Sequence, residues 1–182
     1  MIHTKGTPAG ILLKTLATLA GILFLALPLQ AQVRDSSDIL WLGDEMPEFT
    51  AVSVDGKTLS SDDLYGKVVL INFMATWCPP CNQELPFVES DIWYKYKDRK
   101  DFVLMIIDRE ESLDKVKAFM EKKKFTMPFY LDEKREIYGL FAKKNIPRNY
   151  LFNKEGQLVL ASMGYKKEEF DMLKKELAGL LK

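Results

Sequence analysis

Apolar and polar positions along the chain mark out a short series of elements. Residues 67 to 77, KVVLINFMATW, form a nearly continuous apolar run of branched and aromatic side chains. Such a run suits a strand covered on both faces of a sheet, which places it at the centre. From Cys81 onward the apolar positions Leu85, Val88, Ile92 and Tyr96 recur at helical spacing, so a helix is expected directly after that strand. Residues 101 to 108, DFVLMIID, repeat the buried-strand pattern. Strand, helix and strand at this spacing imply a right-handed crossover and a parallel pair. SLDKVKAFMEKKK then reads as a helix with Ser112 as its cap.

Weaker patterns flank this unit. FTAVSV followed by DGK reads as a strand and a tight turn. MPFYL is a short strand, and residues 133 to 143 are a helical stretch. NYLFN and QLVLAS, joined by KEG, form an antiparallel hairpin, and Phe170, Leu173, Leu177 and Leu180 share one face of a final helix. Pro86 is expected to kink the first helix, because proline removes an internal hydrogen bond.

Composition then sets the boundaries. The chain has 182 residues, 47% of them apolar, which is enough for one domain with a substantial core. Residues 1 to 31 hold His3, Lys5 and Lys14 but no acid, then an apolar run over residues 15 to 27, then small Ala31 before Gln32. That is the order of an export signal cut after Ala31, with an uncleaved membrane anchor as the alternative. Residues 32 to 42 are a polar, turn-rich lead-in expected to be loose, and 43 to 182 are the folded domain. Without Lys5 and Lys14, 24 bases face 26 acids, a net charge of about −2, so there is no electrostatic case for nucleic acid. The single histidine, His3, lies in the signal. The remaining domain therefore has no Ser/His/Asp relay and no Cys/His zinc site.

The two cysteines stand in ATWCPPCNQELP, as Cys78 and Cys81. A tetrahedral metal site would need further ligands, and covalent haem attachment would need histidine where Asn82 stands. As a structural staple, a four-residue ring constrains little of the unfolded chain. Redox exchange suits the position better than either. At the start of a helix, Cys78 would face the positive end of the dipole and free N–H groups that favour a thiolate, while Cys81 lies one turn inside. Pro79 and Pro80 fit the first helical turn, but they leave the Cys81 N–H as the principal donor, so thiolate stabilisation is expected to be moderate.

FMATWCPPC after a buried strand, NQELP opening the helix and NIP before a late hairpin together resemble the thioredoxin fold, and within it the exported TlpA/ResA-like thiol-disulfide oxidoreductases. The resemblance covers residues 43 to 182. It implies an α/β thioredoxin-like fold, a central mixed β-sheet flanked by helices, with N-terminal strands and a central insertion. It further implies that Cys78 attacks and Cys81 resolves, that Trp77, Pro79 and Pro80 border the substrate, and that Pro147 is a cis-proline with the backbone of Ile146 pairing with the substrate chain. Arg148 departs from the threonine usual after that proline, and its charge is expected beside the site. The resemblance also implies that Glu84 is the proton carrier, an expectation supported by Asn72 in the strand position where thioredoxin itself has an acid. The alternative for Glu84 is an ordinary surface glutamate.

The expected function is thus an exported, periplasmic or membrane-face, thiol-disulfide oxidoreductase working as a reductant, with no cofactor and no metal. Its partners would be disulfide-containing exported proteins, such as apocytochrome c or another oxidoreductase, and a membrane electron donor that restores the thiols. It is expected as a monomer. A disulfide oxidase or isomerase, and a non-catalytic peptide-binding module of the same fold, are the alternatives.

Overall fold

Seven consecutive residues, Val68–Met74, are buried, and around them the chain builds a seven-stranded sheet. The computed structural model describes residues 36–182; the segment read as an export signal, residues 1 to 31, lies outside the described residues. The elements in order are β1 (Thr50–Ser53), β2 (Thr58–Ser60), β3 (Val68–Met74), α1 (Pro79–Phe87), a π-helical segment (Val88–Trp93) running into the single turn α2 (Tyr94–Tyr96), β4 (Phe102–Arg109), α3 (Leu113–Lys123), β5 (Phe129–Asp132), α4 (Tyr138–Phe141), β6 (Arg148–Phe152), β7 (Leu158–Met163) and α5 (Lys167–Leu180).

The strand order is β2-β1-β5-β4-β3-β6-β7. β3, β4 and β5 run parallel, as the crossover between the two apolar runs required. β6 and β7 add antiparallel at one side, and the β1-β2 hairpin joins antiparallel through β5 at the other. The inserted α3 and β5 thus give the N-terminal hairpin a strand to pair with. The sheet is mixed, and helices cover both faces.

Each face carries its own core. On one, Leu85, Val88 and Ile92 from the first helix meet Phe170, Leu173 and Leu177 of α5. On the other, Phe73 and Tyr150 pack with Tyr138 and Phe141 of α4. Burying each such side chain contributes about 1.5–3 kcal/mol.

Two local expectations are corrected, the helix over 133 to 143 and the loose lead-in, and two are made specific. The helix read over residues 133 to 143 shrinks to the four residues of α4. The Asp132 carboxylate accepts from the Ile137 and Tyr138 amides, 3.1 and 2.7 Å away, and Arg135 turns the chain at φ 61°, so helix forms only past that turn. Pro86 sits inside α1, and a π-helical segment, Val88–Trp93, follows directly; at the junction the Val88 N–H contacts the carbonyls of both Glu84 and Leu85. Ser112 occupies the cap position of α3 but makes no side-chain capping bond. Finally, the described part of the lead-in is docked. Ile39 N–H donates to Phe141 O and Lys143 N–H donates to Ser37 O, so residues 37–39 lie alongside 141–143.

Candidate active site

The strand β3 ends at Met74, and four residues later the chain turns into α1 with Cys78 at its N-cap. Two consecutive prolines follow, so the first two helical positions bring no N–H, and the amide that reaches Cys78 Sγ is that of Cys81, at 3.3 Å. This is the donor set anticipated from the two prolines. Cys78 and Cys81 are joined as a disulfide with their Cα atoms 5.3 Å apart. Trp77 is 59% exposed, so it is a surface side chain beside the pair rather than core. Pro79 is exposed and Pro80 half-buried.

Opposite the pair lies the turn before β6. Its Ile146–Pro147 peptide bond is cis, and the Ile146 carbonyl oxygen is 3.7 Å from Cys78 Sγ. The structure therefore brings together Cys78, Cys81, Ile146 and Pro147 from regions nearly 70 residues apart.

Beneath Cys81, one turn along α1, Glu84 is 1% exposed. The surface alternative for this residue is excluded. Asn72 Nδ2 donates to Glu84 Oε2 at 2.9 Å and Asn149 Nδ2 donates to Glu84 Oε1 at 2.7 Å. Asn72 Nδ2 also reaches Asn149 Oδ1 at 2.8 Å, across the β3–β6 pair in which the two residues stand opposite each other. Burial raises the Glu84 pKa to about 7, and the two amide donors offset only part of that. Asn72 Oδ1 has no partner among the described residues.

Two further acids lie by the loop before Cys78, and one of them holds it. Glu111, buried in the turn after β4, accepts from the Thr76 N–H at 2.6 Å and the Thr76 hydroxyl at 2.8 Å. Asn82 Nδ2 donates to the Thr76 carbonyl at 2.9 Å and to the Cys78 carbonyl at 3.0 Å. Thr76 is thus held through three of its groups, two residues before Cys78. Asp108, at the end of β4, is fully buried, and neither carboxylate oxygen has a donor among the described residues. Desolvation first, then the charge of neighbouring Glu111, pushes its pKa up to about 9.

Asn149, Thr76, Glu111 and Asp108 are absent from the sequence reading. Asn149 carried a signal, a polar residue in an otherwise apolar strand, but its facing Asn72 depends on cross-strand register. The acids of DREES resemble an ordinary solvated turn until the loop before Cys78 is folded against them. Arg148 corrects the reading in the opposite direction. Adjacent strand residues point to opposite faces, so with Asn149 directed at Glu84, Arg148 goes through to the other core. There it is 2% exposed and bonds to Asp38 and Ser37. Its charge does not border the cysteines.

Comparison with known proteins agrees with this geometry. The Redoxin family model matches residues 42–177. The thiol-disulfide oxidoreductase ResA of Bacillus anthracis is 31% identical over 141 residues, which cover 78% of this chain and 77% of that protein. Among solved structures, a candidate protein disulfide isomerase from Bacteroides thetaiotaomicron matches with a TM-score of 0.77 and 40% identity, over 80% of this chain and 92% of that one. A candidate thiol:disulfide interchange protein DsbE from Chlorobium tepidum matches with a TM-score of 0.68 and 25% identity, over 79% and 99%. With its seven-stranded thioredoxin-like sheet and its Cys-x-x-Cys pair, the chain belongs to the Redoxin family and is a thiol-disulfide oxidoreductase of the ResA type.

Proposed function

We propose that the protein is exported and reduces disulfides of other exported proteins through Cys78 and Cys81. The observation that carries this is the carbonyl of half-buried Ile146, 3.7 Å from Cys78 Sγ, a backbone edge directly beside the redox pair. A substrate strand laid along Ile146 and Pro147, and flanked by Trp77, Pro79 and Pro80, would present its disulfide to Cys78.

In the reduced enzyme the Cys78 thiolate attacks one substrate sulfur. The substrate S–S bond breaks, its other sulfur leaves as a thiolate and takes up a proton, and a Cys78–substrate disulfide forms. Cys81 must then lose its proton. Glu84, buried one turn along the helix, accepts it, because a carboxyl with a pKa of about 7 exchanges protons near neutrality. The Cys81 thiolate attacks Cys78 Sγ, the second substrate thiol departs, and two electrons have passed to the substrate. Re-reduction of the pair then falls to a membrane electron donor.

The donor set supports the reductive direction. One amide at 3.3 Å stabilises the Cys78 thiolate only moderately, whereas strong oxidants owe their high potential to a stabilised reduced form. Apocytochrome c and other oxidoreductases are the substrate classes we infer for an exported thiol-disulfide oxidoreductase of this type. Reduction of insulin disulfides by the pre-reduced protein tests the activity; turnover no faster than that of Cys78→Ser would overturn it. A Cys81→Ser variant should retain substrates as mixed disulfides.

The likeness to the candidate protein disulfide isomerase of Bacteroides thetaiotaomicron favours a second reading, disulfide isomerisation. Reactivation of scrambled ribonuclease without added reductant would support it over reduction, and a potential measured against glutathione separates both from an oxidase.

A further inference from the structure

Arg148 stands immediately after the cis-proline, yet its guanidinium is enclosed on the far face of the sheet. Its Nε donates to Lys144 O at 3.1 Å and to Asn145 O at 3.3 Å. Nη1 pairs with the Asp38 carboxylate, and Nη2 bonds to the Ser37 hydroxyl and lies 3.3 Å from Met163 Sδ. The Tyr138 hydroxyl also donates to Asn145 O, at 2.6 Å. One planar cation therefore ties three segments together: the turn carrying Ile146, the strand β7, and residues 37 and 38.

A buried charge is tolerated only when its partners stay in place, because an unpaired guanidinium in an apolar core is costly. Asp38 is the carboxylate that neutralises it. The same segment is fixed by backbone bonds to Phe141 and Lys143, directly ahead of the turn. The turn between residues 143 and 148 is thus gripped at its start by residues 37–39 and at its end by Arg148, which grips those same residues. Its outer edge is the Ile146 carbonyl facing Cys78.

We propose that Arg148, Asp38 and Ser37 form a strap whose docking fixes the Ile146–Pro147 edge for substrate pairing, making Arg148 and Asp38 positioning residues for disulfide exchange. This rests on the reading that substrates pair with Ile146. The occupant of the edge is the extended backbone of a disulfide-bearing polypeptide. The strap governs how well that backbone is held, not the chemistry at sulfur.

The test uses full-length protein carrying Asp38→Asn, which keeps size and removes the charge, and Arg148→Lys, which keeps the charge and loses the fork. With a disulfide-containing peptide as substrate, KM is expected to rise about fivefold or more, with kcat within twofold and the alkylation rate of reduced Cys78 unchanged. Amide exchange provides a readout that does not need substrate. The Gly164 N–H is bonded to Pro147 O at 2.8 Å, and its exchange is expected to accelerate in both variants while amides of β3 keep their protection. KM within twofold of the parent overturns the proposal, as does a raised KM with Gly164 exchange unmoved. Should Arg148→Lys not fold, Asp38→Asn decides alone. If the parent itself shows no Cys78-dependent reduction, it is the reading of substrate pairing that has failed, and Gly164 exchange still reports whether the strap holds the turn.

Discussion

At the scale of single residues, Glu84 shows what burial does to a side chain whose chemistry is otherwise ordinary. Among the described residues no cation reaches it; two neutral amides do, and they only partly offset the burial that raises its pKa to about 7. Below that pH it holds a proton, and above it it can take one from Cys81. Glu84→Gln should therefore abolish the inflection near pH 7 in thiol reactivity, and slow resolution of the mixed disulfide by about 100-fold at neutral pH. Alkylation and single-turnover rates measured from pH 5 to 9 would check this; an unchanged profile removes Glu84 from the proton path. The position of Glu84, one turn beyond Cys81, was legible in the sequence, and so was its link to Asn72 through the missing strand acid. Asn149 was not, because its place opposite Asn72 is set by the β3–β6 register.

Elements show how the cysteine turn is held. The loop from Met74 to Cys78 is a single turn, closed by the Cys78 N–H donating to Ala75 O at 3.1 Å, and the hydrogen bonds at Thr76 anchor that turn to its surroundings. Thr76→Val removes the hydroxyl bonded to Glu111 while keeping the N–H bond and the side-chain shape. A hydrogen bond to a charged acceptor contributes about 1.5–3 kcal/mol, so urea unfolding of the oxidised variant should show a loss of about that size. A loss below about 0.5 kcal/mol would mean that the clamp is not structural. α3 ends differently. Lys124 N–H bonds to Glu121 O and Phe125 N–H to Met120 O, with Phe125 packed against Phe119, a Schellman ending that puts Lys124 at φ 60°. Glycine is favoured in that conformation, and Lys124→Gly should stabilise the protein by about 0.5 kcal/mol in the same assay, once the greater freedom of glycine in the unfolded chain is deducted. Patterning identified α3 because local spacing determines it. The shortening of α4 was hidden because its start depends on where the Asp132 carboxylate lies.

For the whole molecule, the central βαβ unit and the late hairpin were legible because each is local. The pairing of β1 with β5, and the passage of Arg148 to the far core, were not, since both depend on contacts between distant segments. The same distant packing sets the pH dependence of stability. Unfolded Asp and Glu titrate near pH 4, whereas in the fold Glu84 titrates at about 7 and Asp108 at about 9. Between those limits the native state binds protons that the unfolded chain releases, so these two groups stabilise the fold fully below about pH 4 and lose that contribution as pH rises. For Glu84 the loss is complete above about pH 7, and for Asp108 above about pH 9. Asp91, Asp101 and Asp171 act in the other sense. Their lysine and arginine partners lower their pKa, so they stabilise above pH 4 and lose that effect in acid, but they are exposed and screened by solvent. The buried pair dominates, and the urea midpoint of the oxidised protein should fall steadily from about pH 5 to pH 9. Asp108→Asn removes the ionisation responsible for the upper part of that fall. The variant should match the parent near pH 4 and exceed it at pH 9 by at least about 1 kcal/mol. A midpoint that stays level between pH 7 and 9 in the parent would mean that Asp108 ionises without cost, and that Glu111 and the turn after β4 move aside to let water in.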